Sequence, residues 1–356
     1  MSDTTPMPAS GAAFEGRQQW IAAWLYTVAG MVFAMVVLGG VTRLTHSGLS
    51  MVEWKPVTGW LPPLSEAEWQ AVFDKYKAYP EYKEINEGMT LAGFKGIFWL
   101  EFLHRLWGRV IGVAFFLPFV FFLVRGWVDR RLGLRLAGLF VLGGLQGVMG
   151  WYMVKSGLVD RPDVSQYRLA AHLLLALVII VALLWVAMGL TPRARPAREL
   201  AALAGLRRGA LGLLALVFVT AFSGALVAGL DAGLTYNTFP LMDGELIPPG
   251  MYVQTPAYLN IFENVTTVQF NHRVLAESTL VYVLVLWWLA RRRGLPAPAA
   301  LAVNSMAAVG LVQVSLGIAT LLAVVPVSLA AMHQAGAVVL LAAATWFLRE
   351  LSPSDG

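Results

Sequence analysis

The run "LEFLHRLWGR", residues 100–109, sets Glu101, His104, Arg105 and Arg109 inside an otherwise apolar stretch. Farther on, "VQFNHRVLAE", residues 268–277, repeats the pair as His272 and Arg273 but has Gln269 where the first copy has Glu101. Two more histidines, His172 in "RLAAHLLLALVII" and His333 in "LAAMHQAGAVVLL", also lie in apolar runs. A neutral imidazole is a ready metal ligand, a carboxylate beside it can take a proton or stabilise positive charge, and a guanidinium fork pairs with carboxylates. Which of these chemistries applies depends on the solvent around the residues.

Composition identifies that solvent. The 356 residues are 58% hydrophobic and 13% charged, with a mean hydropathy of +0.66, as in a chain that sits in lipid. The net charge of +5 does not point to nucleic acid, because the excess is arginine in short connections between apolar runs, where it sets orientation in a bilayer. The absence of cysteine excludes disulfides, thiolate-held iron-sulfur clusters and covalent heme attachment. Any metal must therefore be held by histidine, carboxylate or methionine. Residues 1–19 lack the character of a transit peptide or a cleavable signal and read as a cytoplasmic tail, which favours a bacterial inner membrane.

Eight stretches are long enough to cross a bilayer, at roughly 20 residues each: 20–41, 96–124, 133–154, 168–190, 208–230, 266–290, 299–324 and 328–348. Pro326 divides the last two. Arg125, Arg130, Arg131 and Arg135 follow the second stretch; Arg193, Arg195, Arg198, Arg207 and Arg208 follow the fourth; Arg291, Arg292 and Arg293 follow the sixth. The positive-inside rule puts these connections and both termini in the cytoplasm. The long connections 42–95 and 231–265 then lie outside, and "EWQAVFDKYKAYPEYKEI" in the first has the pattern of a short amphipathic surface helix.

The chain also repeats itself. "GGVTRLTHSGLSMVEWKPVTGWLPP" answers "SGALVAGLDAGLTYNTFPLMDGELIPP", "EFLHR" answers "QFNHR", and "LGGLQGVMGWYMV" resembles "LVQVSLGIATLLAVV". His104 and His272 are 168 positions apart, and His172 and His333 are 161 apart. The expected fold is an all-α polytopic membrane protein with eight transmembrane helices arranged as two pseudo-symmetric four-helix bundles. These are residues 20–190 and 208–348, joined by a cytoplasmic linker, 191–207, and followed by a cytoplasmic tail, 349–356.

In that arrangement the four histidines fall in the first turns of the even-numbered spans, at one membrane depth. Within each bundle two imidazoles on alternate helices can clamp a flat iron porphyrin, with its apolar edge in the bundle and its propionates toward the outer surface. That predicts one heme held by His104 and His172 and another held by His272 and His333. For any single histidine the plain alternative is a hydrogen bond to a carbonyl; recurrence in both halves favours ligation, since ionisable groups within spans are rare unless used. His46, whose counterpart is Asp231, reads as a solvated loop residue.

Arg105, Arg109 and Arg273 are candidates for contacts to the heme propionates, with snorkelling to lipid headgroups as the alternative. Gly108 and Gly112 form a Gly-xxx-Gly step that allows close helix packing and leaves room for a porphyrin. Glu101, three residues before His104, is either an acid-base or charge-stabilising group beside the ring or an acceptor that orients the imidazole. Paired aspartates for a metal-diphosphate site are missing, and the polar residues gather at one face rather than at mid-membrane as in transporters.

Residue chemistry alone reaches a two-heme membrane protein. It leaves open an enzyme, a non-enzymatic di-heme b-type membrane electron carrier, or a heme carrier that supplies an oxidase. The Glu101 and Gln269 asymmetry favours the enzyme, because a pure conduit needs no carboxylate in one half. "GGVTRLTHSGLSMVEWKPVTG" after the first span, "EFLHRLWGR" at the second, "NHR" at the sixth, and His172 and His333 together resemble the heme A synthase family over nearly the whole chain. The resemblance implies oxidation of a ring methyl of heme O to a formyl group, giving heme A for terminal oxidases. It also implies His272 and His333 as ligands of a resident heme b, His104 and His172 as ligands of the substrate heme, and Glu101 as the catalytic carboxylate. Expected partners are the lipid bilayer, heme O synthase and an electron-transfer protein. One departure is the lack of the outer-loop cysteine pairs found in some bacterial members.

Overall fold

The computed structural model describes residues 9–353 except 56–57, 159–163 and 192–200, with side chains from residue 16 onward. Residues 1–8 of the expected N-terminal tail, the linker arginines Arg193, Arg195 and Arg198, and residues 354–356 lie outside the described residues.

The described chain is helical, with no strand among the described residues. The elements are α1 (Ala9–Leu44), α2 (Glu66–Lys77), α3 (Pro80–Glu84), α4 (Leu91–Val124), α5 (Arg130–Gly157), α6 (Gln166–Gly189), α7 (Ala204–Gly229), α8 (Asn260–Glu263), α9 (Val265–Arg291), α10 (Ala297–Leu322) and α11 (Val327–Glu350). Eight of these, α1, α4 to α7 and α9 to α11, are long and apolar enough to cross a membrane. The eight expected spans are therefore present, and α4 begins at Leu91, earlier than the apolar run alone suggested, because Thr90 caps it by accepting from the Gly93 N–H. Pro326 does separate α10 from α11, and the chain reverses there through Val324 (φ 61°) and Val325 (φ 55°).

In the N-terminal half α1 packs on α4 and α6, and α5 packs on α4 and α6. In the C-terminal half α9 packs on α7 and α10, and α11 packs on α10 and α7. Between the halves α1 meets α11, and α6 meets both α7 and α11. A shared core of Leu25, Val32, Leu183, Leu213, Val283, Met306 and Leu341 runs through these contacts.

The expected amphipathic helix is α2. Ser65 caps it by accepting from the Glu68 N–H at 3.2 Å, while the Glu68 carboxylate accepts from the Leu64 N–H at 2.7 Å. Its apolar face does not lie on lipid, however. Trp69, Phe73 and Tyr76 are buried against Phe94, Phe98 and Phe102 of α4, with Trp69 edge-on to Phe98 at 4.9 Å. Ring-to-ring burial of this kind contributes about 0.5–1.5 kcal/mol per pair beyond area, so the loop is fastened to the start of α4.

Candidate active site

Each of the four span histidines leans on a glycine of the preceding span. A β-carbon at Gly39 of α1 would lie 2.9 Å from His104 Cε1, and one at Gly150 of α5 would lie 3.3 Å from His172 Cε1. The same geometry recurs at Gly224 of α7 beside His272 (3.0 Å) and at Gly317 of α10 beside His333 (2.8 Å). Every one of these contacts joins the late part of one span to the early part of the next, so the four histidines gather at one end of the helices. Cross-links between the halves lie at that end too: Gln334 Nε2 donates to the Val36 carbonyl at 2.9 Å, and Arg43 pairs with Asp231 at 3.3 Å.

The donor set fits a heme iron. His272 and His333 face each other across the C-terminal half with ring centroids 6.4 Å apart and planes at 85°, a gap that two metal–imidazole bonds of about 2 Å each and the ring radii would span. The flanking glycines are what let both rings stand there. On the third span of each half a glutamine addresses the second histidine. Gln146 Nε2 donates to the His172 carbonyl (3.1 Å) and lies 3.2 Å from both its Nδ1 and its Nε2; Gln313 Nε2 donates to the His333 carbonyl (3.0 Å) and lies 3.1 Å from its Nδ1.

Glu101 is buried at 2% exposure and points to the loop after α1. Its Oε2 accepts from Ser50 Oγ and from the Met51 N–H, both at 2.7 Å. Its Oε1 accepts from Arg105 Nη2 at 2.5 Å, and Arg105 also donates to the carbonyls of Met51 (2.7 Å) and Glu53 (2.9 Å). In the C-terminal half Arg273 donates to the carbonyls of Tyr236 and Thr238, each at 2.8 Å, and Gln269 Nε2 donates to the Tyr236 carbonyl at 3.0 Å. The two arginines thus hold equivalent loops with the same fork. Only in the N-terminal copy does the fork also pair directly with a carboxylate.

Arg109 extends the pattern by donating to the Lys55 carbonyl at 2.9 Å. Lys55 on this loop, at 2.6 Å, and Lys75 of α2 hold the Glu53 carboxyl below its ordinary value, chiefly through their hydrogen bonds. Gly108 does serve close packing, with Met35 Cε of α1 at 3.3 Å from a β-carbon placed there, whereas Gly112 faces open space. His46 is exposed. It and its counterpart Asp231 both adopt φ 49°.

A sequence profile of the cytochrome oxidase assembly protein family COX15-CtaA matches residues 22–345. The chain belongs to this family. Among curated COX15-CtaA-like relatives, a protein of Nitrosospira multiformis named heme A synthase is 55% identical over 338 residues, 94% of each chain. The heme A synthase of Rhodospirillum centenum is 55% identical over 335 residues, 94% of this chain and 89% of its own. Heme A synthase COX15 of Bos taurus is 47% identical over 354 residues, 98% of this chain and 84% of its own.

In this COX15-CtaA member the four histidines and Glu101 were visible in the sequence; the glycines beneath the rings, Gln146, Gln313 and Ser50 were not. A signal existed for part of the set. Glutamine precedes glycine by four positions in both third spans, at Gln146 and Gly150 and at Gln313 and Gly317, which places each pair on one helical face.

Proposed function

We propose that this protein is a heme A synthase, a membrane oxidoreductase that oxidises a ring methyl of heme O to a formyl group to give heme A. In this reading the N-terminal half takes heme O as substrate between His104 and His172. The C-terminal half keeps a resident heme b between His272 and His333. Bound heme would supply redox-active iron; the chain supplies the imidazoles that would hold it, the glycine recesses that admit them, and an apolar helical surround. Arg105, Arg109 and Arg273 keep the loop end of both halves positive, the charge that heme propionates require. Glu101 places a carboxylate three residues before the first histidine of the substrate half, where the other half has Gln269, and there it can offset positive charge that develops at the porphyrin edge. The His-bearing end faces the periplasm and both termini face the cytoplasm of a bacterial inner membrane, following the arginine distribution. Heme O synthase and an electron-transfer protein are the expected partners.

The observation that carries this reading is the recurrence of one histidine-on-glycine pair set in both halves, with a buried carboxylate three residues before the first histidine in only one, within a chain about half identical to proteins named heme A synthase. The test is expression in a host that makes heme O but lacks its own enzyme, followed by extraction and identification of the hemes. Heme A in the membranes is expected. Heme O and heme B alone, with the protein present and folded, would overturn the assignment.

A further inference from the structure

The two halves match at three of their four ring supports: Gly39 with Gly224, Gly150 with Gly317, and Gln146 with Gln313. They differ at the fourth. Ser223 Oγ lies 2.9 Å from His272 Nδ1 and donates its own proton to the Thr220 carbonyl at 2.8 Å. With that proton committed, the oxygen can only accept, so the imidazole proton resides on Nδ1 and the Nε2 lone pair is left for a metal. In the N-terminal half the residue before the glycine is Leu38, which has no hydroxyl to offer. His104 Nδ1 is correspondingly buried with no hydrogen-bond partner.

The contrast extends one layer further. Thr220 Oγ1 and Thr279 Oγ1 meet at 2.8 Å behind Ser223, while the corresponding N-terminal positions are Met35 and Ile111. Polar support for the first histidine is built into one half and left out of the other.

We infer that Ser223 is a positioning residue that makes the C-terminal heme site a permanent one, and that Leu38 at the equivalent place keeps the N-terminal site exchangeable. This rests on the reading above that the C-terminal pair holds the resident heme. A metal-bound imidazole whose other N–H is held by an acceptor is fixed in tautomer and orientation and is a more basic ligand, and losing such a partner typically costs about 10–100-fold in metal affinity. A site that must accept heme O and release heme A gains from the weaker grip. A site that retains its heme through every turnover gains from the stronger one.

The test uses the purified full-length holoprotein in detergent. Transfer of heme b to excess apomyoglobin is timed, and the heme midpoint potential is measured by optical titration. Ser223→Ala is expected to speed heme b loss by about tenfold or more and to raise the potential, because a less basic ligand stabilises the ferric state less. Ser223→Thr, which restores the hydroxyl, should bring both values back toward the parent. The reciprocal Leu38→Ser can commit its proton to the Met35 carbonyl three residues back and offer His104 the missing acceptor; it should raise the heme occupancy of the N-terminal site as purified. Unchanged loss rate and potential in Ser223→Ala, or unchanged occupancy in Leu38→Ser, would overturn the inference. His272→Ala in the same series separates the two levels. If that variant keeps its heme b, the assignment of the resident heme is wrong; if it loses heme b while Ser223→Ala behaves like the parent, only the role of Ser223 falls.

Discussion

Gly317 and His333 are so closely apposed that a β-carbon on the glycine would lie 2.8 Å from the imidazole Cε1. Real side chains do not pack at that distance, so the bare backbone of α10 is what allows the ring of α11 to stand where it does. Gly317→Ala forces the ring or the helix to shift. The purified variant is therefore expected to carry less heme b, with an altered low-spin electron paramagnetic resonance signal. An unchanged signal at full heme content would show that the recess is not needed. Gly112→Ala, which meets nothing within 4 Å, is the control for the helical-propensity effect of the added methyl group, at most about 1 kcal/mol.

The histidines were legible because ionisable residues are scarce in lipid-facing sequence, so four of them repeating at matching offsets stand out against an apolar background. Their glycine partners were not. Glycine is common in transmembrane helices for general packing reasons, and only the register between neighbouring helices says which one lies under a ring. The arginines illustrate a different limit. Arg105, Arg109 and Arg273 suggested propionate contacts, yet each already donates to loop carbonyls 37 to 54 positions away, and bonds over such separations leave no local pattern. The α2 helix was recognisable from its period, but its partner surface, the phenylalanine ridge of α4, was not.

His272→Ala and His333→Ala are each expected to abolish the low-spin spectrum of the resident heme, since an alanine cannot supply the lost axial nitrogen. Reduced-minus-oxidised spectra and heme-to-protein ratios on the purified variants check this. Either variant with a parental spectrum would break the proposed pairing.

Orientation is tested by fusion. Alkaline phosphatase joined after Glu350 should be inactive, because the arginine-rich connections hold that end in the cytoplasm, whereas the same reporter inserted in the loop at Leu246, which is 76% exposed, should be active in the periplasm. An active C-terminal fusion would invert the topology and move the histidine end to the cytoplasm.

Glu101 poses the sharpest question, because its oxygens are already engaged by Ser50, Met51 and Arg105. Its side chain and that of Arg105 are only 3% and 8% exposed, and removing one partner of a buried pair outright costs about 3–5 kcal/mol. Glu101→Gln is gentler. The new amide can donate to the Met51 carbonyl alongside Arg105, as Gln269 and Arg273 share the Tyr236 carbonyl in the other half, so the protein should fold and keep its resident heme. What is lost is the negative charge beside the proposed substrate site. Heme A formation should fall by at least about a hundredfold, the low end for loss of an acid-base group, with heme O accumulating in membranes, while the reverse change Gln269→Glu leaves activity standing. Ser50→Ala separates charge from loop anchoring, since it removes one of the carboxylate's donors and keeps the charge. Near-parental heme A from Ser50→Ala alongside a deep loss in Glu101→Gln assigns the effect to the carboxylate itself. Equal losses in the two variants would assign it to the position of the loop, and near-parental activity in Glu101→Gln would leave Glu101 with no part in the oxidation.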